Sequence, residues 1–359
     1  MLDNLILFVM GLLALIAGAH ALVRGASKLA RSVGVSALVI GLTVVSIGTG
    51  APEVAVSVGA ALSGTSDLAV GNVVGSNIFN VLFILGVSAL ITPLAVNHQL
   101  TRQEVPVMIA ASLLLAAMAA DGRLALAECI FLLSLLVAGT VLLVLQSRRA
   151  TRAEPVQAAG EVERDNGWDR HWAAQTALIA AGLALLVLGA NWLVDASVAF
   201  ARAFGVSELV IGLTIVAAGT SMPEVATSVT AALRGERDIA VGNVVGSNTF
   251  NILGCLGASG IAAGTDGLPV APAALAFDLW VMLAVAFACL PVFLTGRQIA
   301  RWEGGLFLGY YLAYVTFLLL AARHHQALPA YSTVMLSFVI PLTIVTLLVS
   351  LLRTRDAGG

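Results

Sequence analysis

VIGLTVVSIGTGAPEVAVSVGAALSGTSDLAVGNVVGSNIFN (residues 39–80) returns 171 positions later as VIGLTIVAAGTSMPEVATSVTAALRGERDIAVGNVVGSNTFN (residues 210–251), with 30 of the 42 aligned positions identical and no gap. The same offset places Gly18 and Leu22 over Gly189 and Leu193, and Gly34-Val35-Ser36 over Gly205-Val206-Ser207. The chain is therefore built from two copies of one unit. Each copy sets a glutamate directly behind a proline, Glu53 after Pro52 and Glu224 after Pro223, within almost wholly apolar flanks.

The medium that surrounds these flanks follows from composition. Of 359 residues 59% are hydrophobic and 11% charged, and mean hydropathy is +0.99. A soluble domain carries about 25% charged residues, so this is a polytopic, all-α membrane protein. Apolar runs long enough to cross a bilayer fall at 4–23, 36–62, 67–91, 104–120, 124–146, 172–200, 206–233, 238–262, 273–295, 303–322 and 331–352. The first has no basic residue ahead of it and no cleavage signature, so it is expected to remain as a spanning helix. Cys129, Cys255 and Cys289 all lie in apolar segments and read as packing residues, without metal or disulfide spacing.

Basic residues orient the spans. With the N-terminus outside, 15 of the 18 lysines and arginines fall on the cytoplasmic side, and only Arg123, Arg202 and Arg323 fall outside. A miscounted span would scramble this sorting downstream of the error. The expected organisation is a first five-helix repeat at 1–146, a charged cytoplasmic linker at 147–171, a second repeat at 172–322, and an eleventh helix with its tail at 323–359. Five is odd, so the second copy enters the membrane from the opposite face. Such inverted repeats with interrupted helices typify secondary transporters, whose sites lie near the midplane.

The glutamates sit at the interruptions. Gly48-Thr49-Gly50-Ala51-Pro52-Glu53 and Gly219-Thr220-Ser221-Met222-Pro223-Glu224 each combine glycine freedom with a proline that removes a backbone donor. Each should break its helix, and such backbone is tolerated at membrane depth only where protein buries it or water lines it. Both acids then lie near the positive end of the following half-helix. A mid-membrane acid costs at least about 2.5–3.5 kcal/mol on insertion scales; a symmetric pair of them points to function, against the plainer reading of a kink with a protonated acid. Asn72, Ser76 and Asn80, and likewise Asn243, Ser247 and Asn251, recur at intervals of four and share a helix face. Neutral oxygens facing two carboxylates make a hard-cation site. The bland alternative is interhelical hydrogen bonding, with Gly71, Gly75, Gly242 and Gly246 as a packing face. Asp67 and Asp238, at the starts of these helices, read as N-terminal caps.

Paired GTG/GTSxPE segments followed by GNVVGSNxFN resemble the alpha repeats of the calcium/cation exchanger superfamily, in particular its prokaryotic sodium/calcium exchanger branch. The resemblance is strong over 39–80 and 210–251. It implies that Glu53 and Glu224 hold calcium at the centre. It also implies that Thr49, Thr220, Ser221, Ser76 and Ser247 supply oxygens to calcium and sodium sites, with Ser46 and Ala217 contributing carbonyls. Asn80 and Asn251 complete the candidate set. Two departures stand out. Gly50 occupies the position of Ser221, where the family usually has a hydroxyl, and Asn251 occupies one that is often aspartate.

The implied function is antiport of calcium against sodium by alternating access, in a plasma membrane of prokaryotic type. A proton-coupled calcium antiporter is the main alternative, and a passive cation channel a further one. An enzyme is not indicated: no GxxxxGK[ST], HExxH or GxSxG segment occurs. The expected partners are calcium, sodium and the lipid bilayer, with no cofactor and no nucleic acid; oligomeric state leaves no signal in the sequence.

Overall fold

The structure, a computed structural model, describes residues 2–153, 171–206 and 208–346. Helix α1 is Leu2–Val33, and α2 comes in two pieces, Ala37–Thr49 and Ala51–Leu62, bent by 45°. There follow α3 (67–91), α4 (Leu100–Asp121), α5 (Leu126–Ala153) and α6 (Trp172–Ala203). Helix α7 is again broken, its first piece covering 208–219 and its second Met222–Leu233. Next come α8 (Arg237–Asp266), α9 (Ala274–Leu294), α10 (Arg301–Ala322) and α11 (Leu328–Thr346). Among the described residues nine helices are long and apolar enough to cross a membrane, and the bent α2 makes up to ten. The pieces of α7 lie where the remaining span was expected.

Several boundaries depart from the sequence reading, the largest shift being α1, which runs to Val33 where the apolar run ended at 23. Helix α5 continues to Ala153 instead of ending at 146, so the first residues assigned to the linker are helical. Residues 154–170 of that linker, and 347–359 of the C-terminal segment, lie outside the described residues. Asp67 and Asp238 are not caps either: they sit inside the first turn, and the N-cap positions are Ser66 and Glu236. A true cap starts α2, where the Ser36 side chain accepts from Val39 N at 3.2 Å.

The duplication is visible in the backbone. Five-residue π-helical turns occur at Gly41–Val45 and again 171 positions later at Gly212–Val216. Wide turns also open at Asn80 and at Asn251. Such bulges cluster at functional sites because they redirect side chains off the regular helical face.

Helices α1 and α6 form the main seam between the halves. Gly11, Gly18 and Gly25, one every seven residues, meet α6 in descending order. A Cβ on Gly18 would lie 2.8 Å from Gly182 O, and one on Gly189 2.8 Å from Gly11 O. The helices are thus antiparallel and in backbone contact, as small residues permit in a membrane. Because α1 and α6 are equivalent helices of the two copies, their opposite directions are the inversion itself.

Two short ribbons tie the connecting loops. Strand β1 (Leu94–Ala95) pairs antiparallel with β4 (Gln298–Ile299), and β2 (Arg123–Leu124) with β3 (Leu268–Pro269). Each ribbon joins the first half to the second. The odd-span topology places both partners of each ribbon on one membrane face, which a single miscounted span would forbid.

Candidate functional site

The two breaks are built alike. Gly50 and Ser221 occupy the N-cap positions of the second pieces of α2 and α7, with Pro52 and Pro223 in the first turn, where their missing N–H costs least. Glu53 and Glu224 lie in those first turns, each 1% exposed. A Cβ on Gly48 would meet Leu183 at 2.7 Å and one on Gly219 would meet Val194 at 2.5 Å, so α6 presses on both breaks.

Most of the candidate side chains come together around the acids. Ser221 Oγ donates to Glu53 Oε1 at 2.9 Å and lies 3.3 Å from Ser76 Oγ. Asn80 Nδ2 donates to Asn248 Oδ1 at 3.0 Å, and Asn251 Nδ2 to Asn77 Oδ1 at 3.1 Å. Thr49 Oγ1 donates to Asn243 Oδ1 at 3.2 Å. The remaining oxygens have no donor. Glu53 Oε2, Glu224 Oε2, Asn80 Oδ1, Asn251 Oδ1, Thr220 Oγ1 and Ser247 Oγ are all buried without a hydrogen-bond partner. Burying so many acceptors unsatisfied is costly, whereas a cation would satisfy them together. Among the described residues no cluster of three or more His, Cys, Asp or Glu forms; the candidate set is two acids with neutral oxygens, donors of the kind a hard cation takes.

The Ser46 carbonyl accepts Gly50 N at 3.0 Å and its hydroxyl donates to Leu42 O at 2.7 Å, while a carbonyl oxygen carries a second lone pair beyond that bond. The proline two residues beyond Gly50 acts one turn later, on the backbone of Gly48. Ala217 opens the last short helical stretch of α7's first piece, Ala217–Gly219. The outermost amides bond the neighbouring helix: Asn72 Nδ2 donates to Ser57 Oγ at 3.0 Å and to Glu53 O at 3.4 Å, and Asn243 Nδ2 donates to Ser228 Oγ at 2.9 Å.

Sequence reasoning missed three things. Asn77 and Asn248 are 2% and 3% exposed and join the cluster, yet each sits one residue off the four-residue stripe; their signal was repetition immediately after Ser76 and Ser247. The missing hydroxyl at Gly50 has a steric cause, since a Cβ there would lie 2.9 Å from the Phe250 ring. Glu303 is 1% exposed in α10, where its Oε2 accepts Ala300 N at 2.8 Å as a helix-start contact remote from the breaks.

The two copies of the packing face differ. Against α2, a Cβ on Gly246 would lie 2.7 Å from Leu42 Cα and one on Gly242 3.0 Å from Leu38 O. Among the described residues, their counterparts Gly71 and Gly75 have nothing within 4 Å, nor has Gly212. The first piece of α2 is closed onto α8, whereas the first piece of α7 meets α3 at its inner end, Ala217–Gly219.

A membrane-embedded inverted repeat with paired broken helices around buried, donor-free oxygens defines a cation carrier. The sodium/calcium exchanger protein family model matches residues 4–145 and 174–320, and the chain belongs to that family, one of antiporters and not of enzymes. It is 38% identical over 279 residues to the inner membrane protein YrbG of Escherichia coli, covering 76% of this chain and 83% of that one. It is 33% identical over 302 residues to the sodium/calcium exchanger MaX1 of Methanosarcina acetivorans, covering 76% and 85%. Its fold matches a solved structure of the sodium-calcium exchanger NCX_Mj soaked with Na+ and Sr2+, with a TM-score of 0.73 at 30% identity, over 87% of this chain and 97% of that one.

Proposed function

We propose that this protein exchanges calcium for sodium across a plasma membrane by alternating access, at a midplane site centred on Glu53 and Glu224. The observation that carries the reading is the set of buried oxygens without donors, drawn from both halves. Two ionised glutamates bring about two negative charges, which one calcium ion neutralises. Sodium ions can occupy the same oxygens instead, and competition for one site yields exchange. If more than two sodium ions move per calcium, the cycle carries net charge and responds to membrane potential.

The difference between the two packing faces supports the alternating part. With the N-terminus outside, α3 and α7 both begin at the external face and α8 and α2 at the cytoplasmic face. Closure of α2 on α8, with the faces of Gly71, Gly75 and Gly212 open among the described residues, then corresponds to a site reached from outside.

The test is calcium uptake into proteoliposomes loaded with sodium, with potassium, or bearing only a proton gradient. Uptake confined to sodium-loaded vesicles, and lost in Glu224→Gln protein that still melts cooperatively, is the expected result. Uptake driven by the proton gradient alone would transfer the chain to proton coupling, and full transport by Glu224→Gln would remove the glutamates from the site.

A further inference from the structure

Four asparagines cross the boundary between the halves. Asn77 Oδ1 receives the Asn251 amide at 3.1 Å, and Asn248 Oδ1 receives the Asn80 amide at 3.0 Å. Asn77 Nδ2 in turn donates to Asn248 O at 3.2 Å, and Asn248 Nδ2 to Asn77 O at 3.3 Å. Methionines lie beyond, with Met282 Sδ 3.7 Å from Asn77 Nδ2 and Met108 Sδ 3.6 Å from Asn248 Nδ2. The asparagine pattern repeats with the 171-residue offset, so it is a property of the unit and not of one copy.

An asparagine side chain has one oxygen and one NH2, on opposite edges of a planar group. Fixing the NH2 therefore fixes the oxygen. With Nδ2 of Asn80 and Asn251 held by Asn248 and Asn77, the oxygens that remain are those buried without a donor. A flipped amide would set oxygen against oxygen at Asn77 or Asn248 and turn hydrogens toward the cation. A carboxylate at 251 would likewise oppose the Asn77 oxygen, which gives the departure from aspartate a local cause.

We infer that Asn77 and Asn248 are positioning residues that aim the cation-facing oxygens of Asn251 and Asn80, each half of the protein orienting a ligand of the other. The inference rests on the reading of Asn80 and Asn251 as cation ligands. It makes the wiring crosswise: Asn77 acts through Asn251 of the opposite half, not through Asn80 on its own helix.

The experiment is calcium binding by calorimetry on the purified full chain, paired with melting temperature in the absence of calcium as a check on folding. Asn77→Leu is expected to weaken calcium binding about tenfold, the scale of one lost buried hydrogen bond. Added to Asn251→Ala, it should weaken binding less than about twofold further; added to Asn80→Ala, it should keep its full effect. Asn248→Leu, the mate by symmetry, should show the reverse pairing and serves if Asn77→Leu does not fold. Equal effects in both backgrounds, or coupling of Asn77 to Asn80, would overturn the inference as a packing effect. An Asn251→Ala protein with unchanged calcium affinity would overturn it too, by leaving nothing to aim. Neither result touches Glu224→Gln, whose retained transport would instead remove the exchange site itself.

Discussion

The first piece of α2 and the first piece of α7 share most of their sequence, yet among the described residues the glycines facing the one are in close contact and those facing the other are open. Around α2, Gly242 and Gly246 bring α8 into backbone contact, and Thr49 hydrogen-bonds Asn243, which is fully buried. Around α7, Gly71 and Gly75 touch nothing among the described residues, Thr220 Oγ1 has no hydrogen-bond partner there, and Asn72 is only half-buried. Residues equivalent by duplication thus occupy two environments at once. The glycines encode a seam that either half can make, and the fold makes it in one.

The largest effect that distinguishes the seams is steric. Gly246→Leu places side-chain atoms where Leu42 backbone already lies, and overpacking of this kind costs about 1–3 kcal/mol or more. Its melting temperature should drop clearly, whereas Gly75→Leu should leave it nearly unchanged. On the exchange reading both variants lose transport, since α7 must close on α3 at some point in the cycle. Stability that separates them while activity does not would sharpen the comparison; full transport by Gly75→Leu would break it.

Access comes next. Asn72→Cys should react with a membrane-impermeant maleimide added outside sealed cells, and Asn243→Cys should not, the three native cysteines being buried. Labelling of Asn243→Cys alone would reverse the orientation proposed here.

A smaller contrast lies at the caps of the breaks. Ser221→Gly removes the hydroxyl on Glu53, a charge-assisted bond of about 1.5–3 kcal/mol, and should weaken calcium binding roughly tenfold or more. Gly50→Ser supplies the hydroxyl that the first half lacks, but against the Phe250 ring. It should lower the melting temperature without gaining affinity unless Phe250 is shortened as well. The least effect is expected of the threonines: Thr49→Val should cost about 1 kcal/mol of stability through Asn243, and Thr220→Val almost none. Equal melting shifts for the two threonine variants would mean that the seams interconvert freely in detergent.

The repeat, the breaks and the acids were legible because each has a local signature: identity at a fixed offset, proline with glycine, and charge among apolar residues. The asymmetry was not, and no pattern could have given it, because Gly71 and Gly242 sit in identical AVGNVVGSN contexts. Which copy is closed is a property of the conformation. Asn77 and Asn248 escaped for another reason. Periodicity ranks side chains that share one face, and a residue one step off that face enters the site only when a second helix crosses close by.

Leu183 and Val194, resting on Gly48 and Gly219, are eleven residues apart on one continuous helix, roughly 16 Å at 1.5 Å per residue. A single helix therefore bears on both breaks, which on the alternating-access reading are the two gates. Sliding it to relieve one glycine shifts the pressure on the other in the same stroke, so neither gate can relax in ignorance of its twin. For a carrier working against steep gradients, that is insurance against a short circuit, the moment when both doors stand ajar and the stored ion gradient drains away as heat.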